Sequence, residues 1–598
     1  MPRARGREHH PKLILHSGVR QGPLFLSILL AAALWCAVPA RAGSDPLYTY
    51  TLSGDGSPRA YDEAVAVACL QGVINRDGPR VYVLSQKDRR PGYWLDLFSR
   101  GGRWLEARRV QALPDIESLV RLAGPRLKGA VVWDPGVPAT INVATTAAGV
   151  EDAVVLSPEL AQRLHLRVLL DLRGRFSGAE TGSCKNDAYR WAVREYLEKG
   201  RCAAHRLCLY EDAFGARARG DLGYAVTRDW AVYNRSFVFD LSPWADEAPA
   251  DDAGQRLGLD HETYRMILAA VRRNTAGRQA TELAGFFVFN KYSNVGGHKS
   301  AHEPVPTEWE TVWLITPFGC YQNTATSDCF NQSLHSQAPR PALRQHPSAR
   351  TVTLEKKAYL CVLMADYDSS TPLYDFFPDS WADPGRGTLP LAWGINPSLL
   401  ETYPDIIAYA YSTASGQDTF TSDASAAGYT NPDRVPREDL PMFIRHNQRF
   451  FREADMDIAP MVLDFDQPSA DVKDAFLRFA PAGMGTIVYD FHNRGGKPPV
   501  PHVWKGMPVT ELINDAGEPA DALKTAERMT HAILDRGDKV PGLYLFRIVW
   551  TRPSTVAAAL ELVRAQLPAT QIEVLDPHSF FDLFRRTMAQ SPSSPPPN

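Results

Sequence analysis

The second half of the chain is a succession of short apolar runs separated by helical intervals: Tyr359–Ala365, Ile406–Tyr411, Ala459–Leu463, Gly485–Tyr489, Leu543–Val549 and Ile572–Leu575. Parallel strands need crossovers long enough to hold a helix, so this alternation predicts an α/β domain with a parallel sheet. Its repetition over residues 350–590 points to a (β/α)-barrel-like domain.

A chain of 598 residues is too long for one core. Upstream, apolar residues at helical spacing over Asp62–Ile74, a turn at Asn75–Gly78 and the run Val81–Leu84 read as helix, turn and strand. Strands are expected at Gly129–Trp133, Glu151–Leu156, Trp230–Tyr233, Ser236–Phe239 and Phe286–Phe289, with a helix over 261–273. The fold class is therefore α/β: small N-terminal α/β domains at 45–120, 121–190 and 191–340, a C-terminal barrel-like domain at 350–590, and a Pro/Ser-rich disordered tail at 591–598.

Residues 1–42 combine a basic stretch, the apolar run Pro23–Val38 and Ala40-Arg41-Ala42, the pattern of a secretory signal. An uncleaved anchor is the alternative, because the run approaches a bilayer span; after cleavage no membrane span is expected. The segment carries six of the 65 Lys/Arg and one of the 68 Asp/Glu, which leaves the remainder near −8. An acidic body lacks the surplus that neutralises phosphates, so nucleic acid is excluded as a partner. In an exported, periplasmic or secreted protein, Cys202 with Cys208 and Cys320 with Cys329 are candidate disulfides, while Cys69 and Cys361 sit in apolar runs as buried thiols.

Acidic residues end several of the predicted strands. Asp366 and Asp368 follow Leu363-Met364-Ala365, Asp464 follows Met461-Val462-Leu463, and Asp490 and His492 follow Val488-Tyr489. The carboxyl ends of parallel barrel strands share one mouth, and paired carboxylates there suit glycosidic cleavage. Asp366, Asp368 and Asp464 are the catalytic candidates. One of the first pair is expected as nucleophile or base, and Asp464, after an apolar strand, as the acid with a raised pKa. Asp490, His492 and Arg547 are expected to bind substrate or tune the carboxylates.

Tyr367, Trp381, Trp393, Tyr411, Tyr429 and Trp550 lie near these ends, and Trp393 and Tyr429 are candidates for stacking on a sugar ring. Glu308, in Pro306-Thr307-Glu308-Trp309-Glu310, is a further substrate-binding candidate, although Thr307 and Glu310 also fit a helix cap. His298 and His302 have metal-ligand spacing, but flanking glycines favour a loop. No GxSxG elbow, P-loop or dinucleotide fingerprint occurs, and a zinc deacetylase would need a histidine pair where only His446 stands.

Ala426-Ala427-Gly428-Tyr429-Thr430-Asn431-Pro432 resembles the motif that names the GxGYxYP family, with Ala426 for the first glycine and Asn431 for the second tyrosine. Leu70–Arg76 with Pro79-Arg80, Tyr233–Trp244, Pro306–Glu310, and Asp576-Pro577 before Phe580-Phe581 extend the resemblance over most of the chain. The family carries a glycoside hydrolase label that rests on architecture and association with sugar processing. The resemblance implies small N-terminal domains before a barrel-like domain, and a first barrel strand ending in an Asp-Gly-Asp-Asn-like run. Here that run is Asp366-Tyr367-Asp368-Ser369, with both carboxylates kept. Alanine at 426 is expected to disturb a tight backbone approach, since it restricts positive φ. Gly428 and Tyr429 are retained, so the loop is expected to line the pocket.

The expected function is hydrolysis of a glycosidic bond in a carbohydrate partner. The alternatives are a non-catalytic carbohydrate-binding protein, an envelope scaffold and a metal-dependent hydrolase. No cofactor is expected, although Asp366 and Asp368 supply oxygens of the kind Ca²⁺ takes.

Overall fold

Among the described residues, apolar runs that alternate with amphipathic segments build four sheets, whose strands are parallel with one exception. The computed structural model describes residues 45–590 apart from 211–212, 247–248, 287–290, 293–310, 347–348, 489–498, 514–520 and 536–540. The first sheet has the order β2-β1-β3, from β1 (Leu47–Leu52), β2 (Val81–Ser85) and β3 (Val110–Ala112). The second is β5-β4-β6, from β4 (Gly129–Val132), β5 (Ala153–Leu156) and β6 (Val168–Asp171). The third is β10-β9-β7-β8, from β7 (Arg206–Leu209), β8 (Phe237–Phe239), β9 (Thr281–Ala284) and β10 (Cys320–Asn323).

The fourth sheet begins with β11 (Lys357–Tyr367), β12 (Leu391–Ile395), β13 (Asp418–Thr421), β14 (Ile458–Asp464) and β15 (Gly483–Val488). It continues with β16 (His502–Trp504), β17 (Met507–Ile513), β18 (Gly542–Val549) and β19 (Gln571–Val574). Its order is β13-β12-β11-β18-β17-β15-β14; β19 lies parallel beside the start of β11, and β16 runs antiparallel to β17. The sheet is curled, and its end strands meet where the Ser422 N–H donates to the Ile458 carbonyl at 3.3 Å.

Strand periodicity divides the core. Tyr359, Cys361, Leu363 and Ala365 of β11 join Met461, Leu463, Ile487, Leu512 and Leu545 in a cluster inside the curl. Leu360, Val362 and Met364 point the other way, to Trp393, Ile395, Phe546 and Ile548 and the surrounding helices. Helix Pro577–Gln590 inserts Phe580 and Phe581 into the inner cluster, with the Phe581 ring against Gly483 at the start of β15. The amino-terminal end of the curl is thereby filled, which leaves chemistry to the carboxyl edge.

Helix Pro58–Asn75 carries the family-like segment Leu70–Arg76 and shows what those polar residues do. Gln71 Nε2 donates to Asn331 Oδ1 at 2.7 Å, Asn75 Nδ2 donates to Ser333 Oγ at 3.0 Å, and Arg76 pairs with Asp152. Two side chains of this buried helix and the arginine that caps it thus tie the first sheet to the second and to the segment that follows β10.

Several expectations need correction. Trp230–Tyr233 lies in helix Arg228–Asn234, and Ile406–Tyr411 lies in helix Pro404–Ser412. Both runs are rich in aromatic or β-branched residues, whose strand preference is overridden by packing. The strand expected at Phe286–Phe289 falls largely outside the described residues, and the described strand before it, β9, ends at Ala284. The seven described cysteines are free: Cys202 and Cys208 lie in different core clusters, and Cys329 Sγ sits 3.3 Å from Thr371 Oγ1 rather than bonded to Cys320. No helix among the described residues is long and apolar enough to cross a membrane.

Candidate active site

The site is created by one irregularity. By alternation, Asp366 belongs on the outer face of β11 and Tyr367 on the inner. The register of β11 against β12 shifts between Met364 and Tyr367, and Asp366 adopts φ +67°. This conformation is uncommon outside glycine but tolerated by aspartate. The bulge inverts the parity: Tyr367 joins the outer aromatic layer, 6.1 Å from the Trp393 ring, and Asp366 turns to Arg547, which shares a strand face with Leu545.

Arg547 donates from Nε to Asp366 Oδ1 at 3.1 Å and from Nη2 to Oδ2 at 2.5 Å. The indole N–H of Trp550 donates to the Asp366 carbonyl oxygen at 2.8 Å. The Asp366 backbone N–H donates to Asp423 Oδ2 at 2.8 Å, and the Ala424 N–H donates to Asp423 Oδ1 at 2.8 Å. Asp423 is completely buried. Gly394 makes room for it, because a Cβ there would lie 2.2 Å from Asp423 Oδ2.

Three carboxylates therefore face one guanidinium. Burial, with the charges of Asp368 and Asp366, holds the Asp423 carboxyl well above the ordinary carboxylate range, against the pull of Arg547. Burial and the Asp366 charge push Asp368 up to about 7, opposed by the Ser369 hydroxyl, which donates to it at 3.0 Å, and by Arg547. The cluster combines an ion-paired carboxylate with carboxyls that keep protons near neutrality.

Asp464 ends β14 on the same edge, 7% exposed. Its Oδ2 accepts the Asp433 N–H at 2.7 Å and its Oδ1 the Phe465 N–H at 2.9 Å. Burial first, then the neighbouring Asp433 charge, raises Asp464 to about 8 in spite of both hydrogen bonds. The segment between Asp423 and Asp433 spans the two acid groups: Ser425 Oγ accepts the Leu463 N–H at 3.1 Å, and the Gly428 N–H donates to Asn396 Oδ1 at 2.8 Å.

Gly428 has φ +97° and lies flat against the Tyr321 ring. Tyr429 exchanges two backbone hydrogen bonds with Gln322 of β10, at 2.9 and 3.0 Å, and enters the inner cluster beside Leu363 and Leu463. The motif loop thus pins the third sheet to the mouth of the curl. Ala426 is fully buried and is not a positive-φ residue, so the expected disturbance from losing the motif's first glycine does not arise.

Trp393 is not brought to this site. It is completely buried in the outer layer, 5.0 Å from the Trp381 ring, with its indole N–H donated to Asp418 Oδ1 at 2.9 Å. Tyr367, Trp381 and Tyr411 belong to the same layer, since Tyr411 stacks on Phe420 at 4.1 Å. Of the aromatic residues singled out from the sequence, Trp550 hydrogen-bonds Asp366, and Tyr429 lies in the loop between Asp423 and Asp433. Glu308, Asp490 and His492 lie outside the described residues, as do His298 and His302. Among the described residues no group of three or more His, Cys, Asp or Glu side chains is arranged to hold a metal ion.

Asp423 and Asp433 were not among the sequence candidates. Asp423 carries the same signal as the others, standing two residues beyond a strand. That strand is Asp418–Thr421, whereas the more apolar Ile406–Tyr411, expected as a strand, is a helix.

A family model described as "GxGYxYP putative glycoside hydrolase C-terminal domain" matches residues 356–585, and one described as "GxGYxYP_N second domain" matches residues 127–200. A crystal structure described as that of a putative hydrolase from Bacteroides thetaiotaomicron VPI-5482 superposes with a TM-score of 0.66 at 16% identity. The match covers 91% of this chain and 95% of that one, and at this identity the likeness is one of fold. No curated protein matches the chain.

Proposed function

Because the chain belongs to the GxGYxYP family, we propose that it hydrolyses a glycosidic bond at the carboxyl edge of the curled sheet. The observation that carries this reading is the grouping of Asp366, Asp368 and Asp423 around the cation Arg547. Glycosidic cleavage needs a carboxyl that donates a proton to the leaving oxygen and a carboxylate that attacks or activates water. Asp368, poised near neutrality, is the donor in this proposal, and Asp366, oriented by Arg547 and by its bulge, is the carboxylate. Asp423 is a positioning residue that acts through the Asp366 backbone N–H. Asp464 is the alternative acid, since burial keeps its proton as well.

One observation favours carbohydrate binding without turnover: Arg547 occupies both oxygens of Asp366. Assay of the mature protein on a glycan panel, with Asp366→Asn, Asp368→Asn and Asp464→Asn, separates the readings. An enzyme loses turnover in Asp366→Asn and in one of the acid variants while keeping affinity. A binding protein has affinity and no turnover in any form. Full activity in Asp366→Asn would remove the proposal. We propose further that residues 1–42 direct export, supported by their basic stretch, apolar run and Ala-Arg-Ala end.

A further inference from the structure

Behind the motif loop, between the third sheet and helix Leu440–Glu453, lies a separate cavity of about 160 Å³. Its ionisable lining includes His205, Arg278, Glu401, Arg445, His446 and Arg449. Glu401 is its sole carboxylate, and both of its oxygens are taken, one by Arg206 and the other by Arg449 at 3.1 Å. Arg449 also reaches Glu453 at 3.1 Å. Arg278 and Arg445 make no ion pair and no side-chain hydrogen bond among the described residues. Two guanidinium groups thus border one recess with no counter-charge, in a protein whose body is net acidic.

We propose that this recess binds a small oxyanion: a phosphate, a sulfate or a carboxylate. Guanidinium forks match the oxygen spacing of such groups and hold them by paired, charge-assisted hydrogen bonds. Pockets for organic ligands typically run from about 300 to 1,000 Å³, so a recess of this size takes an anionic group and not a whole oligosaccharide. Arg278 is contributed by the turn between helix Leu259–Thr275 and β9, and Arg445 by the helix of the barrel-like domain. A shared anion joins the two sides where the Gln322–Tyr429 bridge already joins them.

The recess also borders the motif directly. His446 Nε2 lies 2.7 Å from the Ala427 carbonyl oxygen, and its ring is 4.9 Å from that of Tyr321, the ring on which Gly428 rests. Anything that orders helix Leu440–Glu453 at Arg445 also steadies the carbonyl next to Gly428.

The test is isothermal titration of the full chain with inorganic phosphate at constant ionic strength, beside the double variant Arg278→Gln/Arg445→Gln. A parallel arm uses methyl glucuronide, which presents the same charge class on a sugar. Saturable one-site binding of either probe, weakened about tenfold or more in the double variant, is expected. The probe that binds tells a free oxyanion from a sugar carboxylate. Both residues are exposed at the rim, so the variant should keep its fold, which circular dichroism checks. If neither probe saturates, or if binding survives the double substitution unchanged, the proposal is overturned. Because the recess holds none of the acids assigned to hydrolysis, loss of the hydrolase reading would leave this result standing.

Discussion

Arg547 holds both carboxylate oxygens of Asp366, at 3.1 Å from Nε and 2.5 Å from Nη2, across the pair of strands that pass through the centre of the curled sheet. The two side chains are 17% and 19% exposed, so the pair is shielded but not sealed. Removing the cation strands a carboxylate beside Asp368 and Asp423. Arg547→Gln is expected to destabilise the protein by about 3 kcal/mol, the scale of a broken buried ion pair. Asp366→Asn in the same chain should recover part of that loss, because the uncompensated charge goes with it. Urea denaturation of the two single variants and the double variant measures the coupling, and strictly additive losses would show that the pair does not stabilise the fold.

Asp464 imposes a pH dependence of definite sign. Its carboxyl ionises near 8 in the folded chain and near 4 when unfolded. Between those values the native state keeps a proton that the unfolded chain has released, so stability falls as pH rises through the window and levels off above it. In Asp464→Asn this contribution is absent, while an amide NH₂ faces one of the two backbone N–H donors now satisfied by the carboxyl. The variant should therefore be less stable than the parent by about 1 kcal/mol near pH 5, and the order should reverse before pH 8, because the parent loses about 1.4 kcal/mol per pH unit through the window. Denaturant titrations at the two pH values check this, and parallel profiles would contradict it.

Gly394 and Asp423 are matched in space. A methyl group at 394 would fall 2.2 Å from Asp423 Oδ2, and the carboxylate is fully buried with no free direction to retreat. Gly394→Ala is expected to cost about 1–3 kcal/mol through overpacking. It should also detach the hydrogen bond that fixes the Asp366 backbone. On a cleavable glycan the variant should lose kcat while retaining affinity, since Asp423 reaches the reaction through Asp366. A loss of affinity with kcat intact would assign Asp423 to substrate binding.

How far the sequence foretold this arrangement depends on the kind of strand. β11, β14, β15 and β18 are buried on both faces and read as near-continuous apolar runs, so their positions are legible, as are the acids at the ends of β11 and β14. β13 is four residues, Asp418-Thr419-Phe420-Thr421, with one large apolar side chain, and it was lost beside the apolar Ile406–Tyr411. That run is a helix, and Pro404 in its first turn was the available clue. Asp423 was missed along with β13. The parity switch at Asp366 left no trace in residue pattern, because a bulge is a backbone event. It sends Tyr367 to the outer layer, where Trp393 of β12 already lies beside Met364 in register, against the expectation that Trp393 would face a sugar.

The motif loop offers a test with two opposite halves. Gly428 has φ +97°, and a Cβ there would lie 2.1 Å from the Tyr321 ring, so Gly428→Ala combines backbone strain with a collision against a fully packed aromatic. It should cost about 1–3 kcal/mol and break the Gln322–Tyr429 bridge that holds the loop to β10. Ala426 occupies the motif's first glycine position without positive φ and with its methyl group buried. Ala426→Gly therefore restores the family pattern yet gains no conformation that the backbone uses. It should lower stability by about 0.4–1 kcal/mol, through the added freedom of the unfolded chain. Thermal melts of the two variants measure both halves. A stabilising Ala426→Gly would mean that the loop strains against its alanine, and a silent Gly428→Ala would mean that Tyr321 yields where its surroundings leave it no room.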